Sequence, residues 1–234
     1  MAERPEVVDH YGAHYRAFAA GVYGEVRRAA FGEDIGQNSW LTVDELGRFV
    51  SRLDLRPGTR LLDVCCGSGG PALHVGGRTG CEVVGVELSG EAVAEATRLA
   101  DELSLDTRSS FVQADAGEPL LFDAGPFDAL MCIDAINHLP DRARVLGDWA
   151  RVLRSGGRLL AAAGLTVVDV EDTTDHLAEI AGRRRDARAA RADALREIEG
   201  DAAFDGRQRF FELVGTPAGD RRLSRFVYTA EAST

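Results

Sequence analysis

One stretch decides the fold of this 234-residue chain, Leu61-Leu62-Asp63-Val64-Cys65-Cys66-Gly67-Ser68-Gly69-Gly70. It is an apolar strand that runs into a turn of small residues and then into a helix. Gly67 and Gly69 let the backbone approach a ligand closely, and the start of the helix offers unpaired N–H groups to an anionic group such as a carboxylate. The dinucleotide pattern G-x-G-x-x-G fails because Ala72 occupies its last position, and the chain has no lysine for a phosphate loop.

Short apolar strands separated by helical segments surround this stretch. Each is a nearly continuous apolar run, as expected of a strand buried on both faces, and the predicted strands are 60–65, 82–87, 110–114, 127–133 and 157–162. This alternation predicts a doubly wound parallel sheet of the Rossmann-like α/β class. Upstream of it, residues 5–31 are predicted to form one or two helices, and the Thr42/Glu45 pair has the spacing of a capping box at the start of another.

The tail departs from regular alternation. We predict a sixth strand at 166–170, an Arg/Ala-rich amphipathic helix at 173–199 and a final strand at 223–230. The basic face of that helix is predicted to be a solvated surface without a ligand, and its residues are Arg183, Arg184, Arg185, Arg188 and Arg191.

The interval between the fifth and sixth strands is too short for neighbouring parallel strands. About four residues join them, whereas a parallel crossover takes about a dozen or more. Either residues 166–170 do not form a parallel strand, or a connecting segment after residue 162 is absent from this chain. We favour the absent segment, and a measured mass equal to the 25.1 kDa of this sequence would overturn that hypothesis.

Acidic residues end the strands that follow the glycine turn. Glu87 ends the strand 82–87, twenty residues after Gly67, and Ser89 then caps a helix. A carboxylate at this position can accept hydrogen bonds from both hydroxyls of a ribose, as in the general Rossmann arrangement. The third strand is followed by another acid, Asp115.

The segment from Asp63 to Gly69 resembles the first motif of class I S-adenosylmethionine-dependent methyltransferases, usually written D/E-x-G-x-G-x-G. Cys65 stands where the first glycine is usual. The resemblance implies that Asp63 and the glycine turn hold the amino-acid part of S-adenosylmethionine, that Glu87 binds its ribose, and that Asp115 accepts from the adenine amino group. The full implied set of cofactor-binding residues in the core is Asp63, Cys65, Gly67, Gly69, Glu87, Leu88, Asp115, Ala116, Cys132 and Ile133.

The same resemblance implies an architecture. The expected sheet has seven mostly parallel strands in the order 3-2-1-4-5-7-6, with the last strand antiparallel. Residues 57–234 would form the Rossmann-like core with a helical insertion at about 173–215, and the N-terminal helices of residues 1–56 would form a cap over the active site.

The end of the fourth strand differs from the general pattern. The string Asp134-Ala-Ile-Asn-His138-Leu is similar to that of phosphoethanolamine- and sarcosine-type small-molecule methyltransferases, in which the histidine sits in the active site. If a helix begins here, Asp134 and His138 share one face. His138 would then take a proton from the nucleophile with Asp134 orienting it. The alternative is that His138 caps a turn and Asp134 accepts a backbone hydrogen bond.

The segment Phe31 to Trp40 (FGEDIGQNSW) is similar to the loop that precedes the core of the sarcosine-type enzymes and closes over the cofactor. That resemblance places Gln37 and Ser39 near the methionine end of the cofactor. It also points Tyr15 at the site of methyl transfer, with apolar packing of Tyr15 as the alternative.

Composition limits the partners. The net charge of −11 repels a nucleic-acid backbone, and all 27 basic residues are arginine, so no lysine is present to form a Schiff base. The four cysteines lack metal-ligand spacing, so we expect no metal and mostly buried thiols. No stretch is long and apolar enough for a membrane span and no signal sequence is visible, so we expect a cytoplasmic protein. The expected oligomeric state is a monomer or a homodimer.

The predicted reaction is direct displacement at the sulfonium methyl group by a nitrogen, oxygen or carbon nucleophile of a small molecule, with a small amine as first choice. Alternatives are an NAD-dependent oxidoreductase, a cofactor-binding protein without transferase activity, and a methyltransferase acting on protein or RNA. The acidic charge and the lack of an extra domain disfavour the last of these.

Overall fold

A seven-stranded mixed sheet forms the centre of the molecule in this computed structural model, which describes Tyr15, Phe18 and residues 20–160 and 166–232. The strands are β1 (Arg60–Val64), β2 (Glu82–Glu87), β3 (Ser109–Gln113), β4 (Phe127–Met131), β5 (Leu153–Leu160), β6 (Thr166–Asp172) and β7 (Phe226–Glu231). Their order is 3-2-1-4-5-7-6. Strand β7 runs antiparallel to both of its neighbours, which confirms the predicted fold class.

Eight α-helices lie in the described part of the chain, and those between residues 43 and 152 cover the two faces of the parallel strands. The eight helices are α1 (Gly21–Phe31), α2 (Val43–Val50), α3 (Gly70–Thr79), α4 (Gly90–Glu102), α5 (Arg142–Val152), α6 (Thr174–Ala189), α7 (Ala192–Glu199) and α8 (Asp201–Gly219). Half of the predicted capping box is present at the start of α2: Thr42 Oγ1 accepts the N–H of Glu45 at 3.3 Å, whereas the Glu45 carboxylate accepts from Arg225 instead of from the Thr42 N–H. None of the described helices combines the length and apolar character that a bilayer span needs.

The alternation of side chains along β1 divides the core into two clusters. Leu62 faces one side of the sheet and packs in a cluster with Trp149 of α5. Its neighbour Leu61 faces the other side, in a cluster with Phe49 of α2 and Val75 of α3. Because these side chains are nearly inaccessible to solvent, both faces of β1 are held rigidly beneath the glycine turn.

The N-terminal helix and the C-terminal insertion pack together as a satellite cluster. Tyr23 and Phe31 of α1 contact a group from the insertion helices that includes Ile180 of α6, Leu195 of α7 and Phe204 of α8. The insertion thus consists of three helices over 174–219, where the sequence predicted one continuous helix at 173–199. The predicted domain boundary at residue 56 stays a prediction, and the part of the 5–31 helical prediction before residue 20 falls mostly outside the described residues.

The predicted solvated basic face of residues 183–191 was wrong for most of its members: only Arg183 is exposed, while Arg184, Arg185 and Arg191 are half-buried and Arg188 is buried. Arg188 has 3% of its surface exposed, and it forms an ion pair with Glu199. Arg184 and Arg188 lie in the interface between α6 and its neighbours, because the helix is covered on that side by α1 and α8. The sequence pattern could not show which neighbour would cover this face.

The short interval between β5 and β6 has a geometric explanation. Strand β7 lies between them, so the two strands are not neighbours, although both run in the same direction. Arg158 and Thr166 both pair with Glu231, so β6 begins almost level with the end of β5. The connection therefore does not have to return along a whole strand. Residues 161–165 fall outside the described residues, and the absent segment stays a hypothesis.

Candidate active site

The turn after β1 requires three left-handed backbone conformations. Gly67 has φ of 55° and Gly69 has φ of 74°, values that glycine adopts without steric cost. Cys65 also lies in this region, with φ of 61°, which is uncommon for a residue that carries a side chain. The Cys66 N–H donates to the Val86 carbonyl at 3.1 Å and anchors the turn to β2. This geometry explains why a glycine is usual at the position of Cys65.

Glu87 joins the end of β2 to the glycine turn. Its Oε2 accepts the N–H of Gly67 at 3.0 Å, and its Oε1 accepts the N–H of Ser89 at 3.0 Å. A carboxylate offers about four acceptor positions. Glu87 can therefore keep both backbone hydrogen bonds and still accept two hydroxyl groups of a ligand.

Asp63 lies one strand away from Glu87 and is buried, with 3% of its surface exposed. It pairs in register with Gly85 of β2 and with Met131 of β4, so it sits in the middle of the sheet. Burial, with a further contribution from the nearby charge of Glu87, raises the pKa of Asp63 well above its usual range. Two acids next to each other favour a ligand that brings a positive charge.

The loop before α2, residues 32–42, lies across the glycine turn. The Ser68 hydroxyl donates to the Gly36 carbonyl at 3.1 Å. A Cβ added to Gly70 would stand 2.0 Å from the Ile35 carbonyl oxygen, so the loop touches the first residue of α3 directly. The structure thus brings the predicted closing loop and the glycine turn together. The Tyr15 hydroxyl also lies at the glycine turn, because a Cβ added to Gly67 would stand 2.6 Å from the Tyr15 hydroxyl oxygen.

Two predicted cofactor residues of that loop make their described hydrogen bonds within it. The Gln37 side chain is buried; its oxygen accepts the Ile35 N–H and its nitrogen donates to the Glu33 carbonyl, both at 3.0 Å. Ser39 Oγ accepts the Leu41 N–H at 3.3 Å. These bonds shape the loop, and they leave the role of both residues in cofactor binding as a prediction.

The remaining predicted cofactor residues lie where their strands end. Leu88 follows β2 and is 42% exposed. Asp115 follows β3, and its Oδ1 accepts the Gly117 N–H at 2.8 Å, while Ala116 beside it is buried. Cys132 and Ile133 follow β4. All of them therefore stand at the carboxyl edge of the sheet, the usual ligand-binding edge in open α/β folds.

The thiols of this edge interact with each other. A hydrogen bond donated by the Cys132 thiol to Cys65, together with burial, raises the pKa of Cys132 well above its usual range. Burial, followed by the charges of Asp63 and Glu87, does the same for the pKa of Cys66. The thiols of Cys66 and Cys132 are therefore protonated near neutral pH. The described residues hold no group of three or more histidine, cysteine and acidic side chains placed to bind a metal ion.

The predicted pairing of Asp134 with His138 was wrong in its helical premise. Asp134 has φ of 53°, and only a short 3-10 turn, Ile136–His138, follows it. Its carboxylate binds Arg225 through Oδ1 at 2.8 Å and accepts the Trp40 N–H on Oδ2 at 2.8 Å. Asp134 thus accepts a backbone hydrogen bond, as the alternative to a catalytic role requires, and it also forms an ion pair. His138 is exposed beside Asn137, 3.4 Å away.

Sequence reasoning missed the buried ionic network around Arg225. Its Nη1 donates to Glu45 at 3.1 Å and to Thr173 at 3.2 Å, and Glu45 in turn lies 3.1 Å from His176. Burial acts to lower the pKa of Arg225, but its carboxylate partners Asp134 and Glu45 outweigh burial and raise it. The available signal was an arginine inside the predicted apolar strand 223–230.

Comparisons with known proteins agree with this geometry. Residues 62–161 match the family described as "Methyltransferase domain". The chain is 34% identical over 157 residues to 27-O-demethylrifamycin SV methyltransferase of Amycolatopsis mediterranei, covering 63% of this chain and 56% of that relative. The chain thus spans little more than half of that protein.

Two solved structures share the fold over most of the chain. The [4+2]-cyclase SpnF superposes with a TM-score of 0.77 at 22% identity, covering 97% of this chain and 96% of that one. A phosphoethanolamine N-methyltransferase of Haemonchus contortus, solved with S-adenosylhomocysteine, gives a TM-score of 0.74 at 19% identity over 95% of this chain and 60% of that one. At these identities the likeness concerns the fold alone.

Proposed function

From the match of residues 62–161 to the methyltransferase domain family, we propose that this protein transfers a methyl group from S-adenosylmethionine to a small-molecule acceptor. One observation carries the proposal. Two acids lie beside the glycine turn, Asp63 next to the end of β1 and Glu87 at the end of β2, and no cation among the described residues offsets the charge of the buried one. S-adenosylmethionine supplies that cation, through its ammonium and sulfonium groups, together with a ribose for Glu87.

The residues at the carboxyl edge fit the cofactor by their chemistry. Asp63 would hold the ammonium group and the turn at Gly67 and Gly69 would bind the carboxylate, while Glu87 accepts the ribose hydroxyls. The apolar side chain of Leu88 and the carboxylate of Asp115 suit the adenine ring and its amino group. When bound, the cofactor supplies an activated methyl group on a sulfonium.

The chain's own contribution to the reaction is alignment and exclusion of water. A sulfonium methyl group is already reactive, so the main requirement is to hold the acceptor atom within about 3 to 3.5 Å of it in a dry site. The loop that lies across the glycine turn serves that purpose. We propose His138 as the group that accepts the acceptor's proton on its imidazole, and Tyr15 as a wall of the site.

The proposal is tested by cofactor binding to two variants of the same strand. We expect Glu87→Gln to weaken S-adenosylmethionine binding about ten- to a hundredfold, because a charge-assisted hydrogen bond contributes about 1.5–3 kcal/mol. Glu82→Gln is the matched control, since Glu82 lies exposed at the opposite end of β2. Titration calorimetry gives both dissociation constants.

Three outcomes would contradict the proposal. Equal binding by both variants would remove Glu87 from the site. Binding of NADH in place of S-adenosylmethionine would favour an oxidoreductase. Binding of S-adenosylmethionine without formation of S-adenosylhomocysteine, across a panel of amines, phenols and carbon acids, would favour a binding protein or a different reaction on this fold, as the name of the cyclase illustrates.

A further inference from the structure

Arg184 of α6 lies among aromatic rings at the edge of the candidate active site. The centre of its guanidinium group stands 4.9 Å from the ring of Phe211, 5.0 Å from Trp40 and 5.6 Å from Phe31. Trp40 also stacks obliquely with Phe210, 5.9 Å away. Rings from α1, the closing loop and α8 therefore pack against the guanidinium, while Arg184 as a whole is half-buried.

No carboxylate among the described residues lies within 4 Å of Arg184. Its hydrogen bonds go instead to neutral oxygens, from Nη1 to the Ser39 carbonyl at 3.2 Å and from Nη2 to Asn38 Oδ1 at 3.5 Å. This is unusual for the described part of the chain, in which the other arginines without such a partner are all exposed. They are Arg78, Arg108, Arg142 and Arg209.

The surroundings of Arg184 are positively charged. Burial, and then the neighbouring charges of Arg188 and Arg207, lower the pKa of Arg184 to about 9. Asp134 acts in the opposite direction and is bound by Arg225, as Arg188 and Arg207 are paired with Glu199. A cation that is taken out of water without an anion is costly, whereas the chain has an excess of acids that could have supplied one. The described residues nonetheless supply no carboxylate as a direct partner for the Arg184 guanidinium.

The position of Arg184 would link a bound anion to the reaction. Arg184 holds Asn38 and Ser39, and the next residue, Trp40, donates its N–H to Asp134 at the end of β4. The carboxyl edge of the sheet at β4 is adjacent to the proposed cofactor site. An anion bound by Arg184 would thus stand beside the acceptor side of the site and against apolar ring surfaces.

We propose that Arg184 binds an oxyanion of the methyl acceptor, a carboxylate or a phosphate carried on an apolar body that packs against Trp40 and Phe211. This inference rests on the proposed function, because it names the class of its acceptor. The planar guanidinium suits a two-oxygen contact with either group, and the aromatic rings suit the apolar body.

Four small probes titrated into the protein saturated with S-adenosylhomocysteine test the proposal. Benzoate carries the carboxylate and phenyl phosphate the phosphate, and benzyl alcohol and benzamide are neutral partners of similar size. Calorimetry reports binding, and so does the change in tryptophan fluorescence, to which Trp40 contributes beside the buried Trp149 of the core. We expect at least one acid to bind about tenfold more tightly than the neutral probes, as a charge-assisted contact implies. The comparison of the two acids identifies which oxyanion is preferred.

Variants assign the effect to Arg184. Arg184→Gln is expected to lower the affinity for the acids about tenfold and to leave the affinity for the neutral probes unchanged. Arg184→Lys is expected to have an intermediate affinity for the acids, because lysine keeps the charge but lacks the paired N–H donors of the planar guanidinium. Arg209→Gln is the matched control, since Arg209 is an exposed arginine of α8 without a carboxylate partner among the described residues.

Three results would overturn the proposal: equal binding of acids and neutral probes by the unaltered protein, unchanged acid binding by Arg184→Gln, or an equal loss of S-adenosylhomocysteine affinity in that variant. The last result would show that Arg184 only holds the closing loop in place. The titration is repeated without S-adenosylhomocysteine, so acid binding is judged even if the proposed methyl transfer fails.

Discussion

Asp63 is a carboxylic acid whose charge is poorly solvated in the ligand-free protein. Its raised pKa means that the folded state holds a proton that the unfolded chain releases above about pH 4. Protonation therefore favours the folded state, and stability falls as the pH rises from that value towards the folded-state pKa. Above the folded-state pKa, the buried charge and its repulsion by Glu87 remain as a destabilising contribution.

We predict that Asp63→Asn stabilises the ligand-free protein at pH 7 while it weakens S-adenosylmethionine binding. If the buried charge lowers the free energy of unfolding by about 1 kcal/mol, its removal would raise the melting temperature by about 2–4 °C in a chain of this size. The difference from the unaltered protein should shrink as the pH is lowered from 8 to 5. Thermal unfolding followed by circular dichroism measures it, and a variant less stable at every pH would show that the buried charge of Asp63 does not limit stability.

At the scale of elements, the contact between the closing loop and the start of α3 depends on one missing side chain. A Cβ at Gly70 would meet the Ile35 carbonyl oxygen at 2.0 Å, a distance that forces the loop to move. Gly77 of the same helix is different, because its nearest neighbour is a Leu105 methyl group at 3.7 Å, an ordinary contact.

We predict that Gly70→Ala destabilises the protein by about 1–3 kcal/mol through this overlap and weakens cofactor binding as the loop is displaced. Gly77→Ala should be neutral or stabilising by up to about 1 kcal/mol, because alanine is the better helix former. Urea unfolding of both variants gives the comparison. Similar free energies of unfolding for the two would show that the loop does not press on Gly70.

The elements that the sequence predicted correctly are those with a local signature. The strands around Asp63 and Glu87 are apolar runs, and the glycine turn carries its residues within ten positions, so both were predictable. The partner of Asp134 was not, because Arg225 lies 91 residues away and meets it only when β7 inserts between β5 and β6. The break of the predicted helix at 173–199 likewise follows from packing against α1 and α8.

At the scale of the whole molecule, the Arg225 network joins parts of the chain that are far apart in sequence. Arg225, which immediately precedes β7, binds the end of β4, helix α2 and the start of α6. The closing loop joins the network where it binds the end of β4. Arg225 keeps 9% of its side chain exposed and Asp134 keeps 16%. Removal of one partner would leave the other charged and largely buried.

We predict that Arg225→Met lowers the free energy of unfolding by about 3–5 kcal/mol. Arg158→Met is the matched control, because the Arg158–Glu231 pair lies on neighbouring strands with 39% and 43% of its side chains exposed and should contribute at most about 1 kcal/mol. Chemical denaturation measures both losses. A loss of less than about 1 kcal/mol for Arg225→Met would show that the network adds no cohesion.

The loop over the glycine turn also sets an order of events. We expect S-adenosylmethionine to reach the glycine turn only when this loop moves, because the Ser68 hydroxyl binds the Gly36 carbonyl and Ile35 lies against Gly70. In the proposed reaction, exchange of spent for fresh donor and opening of the loop are therefore a single event. Each catalytic cycle would include one such opening. We therefore expect the release of S-adenosylhomocysteine, rather than the methyl transfer itself, to limit the turnover rate.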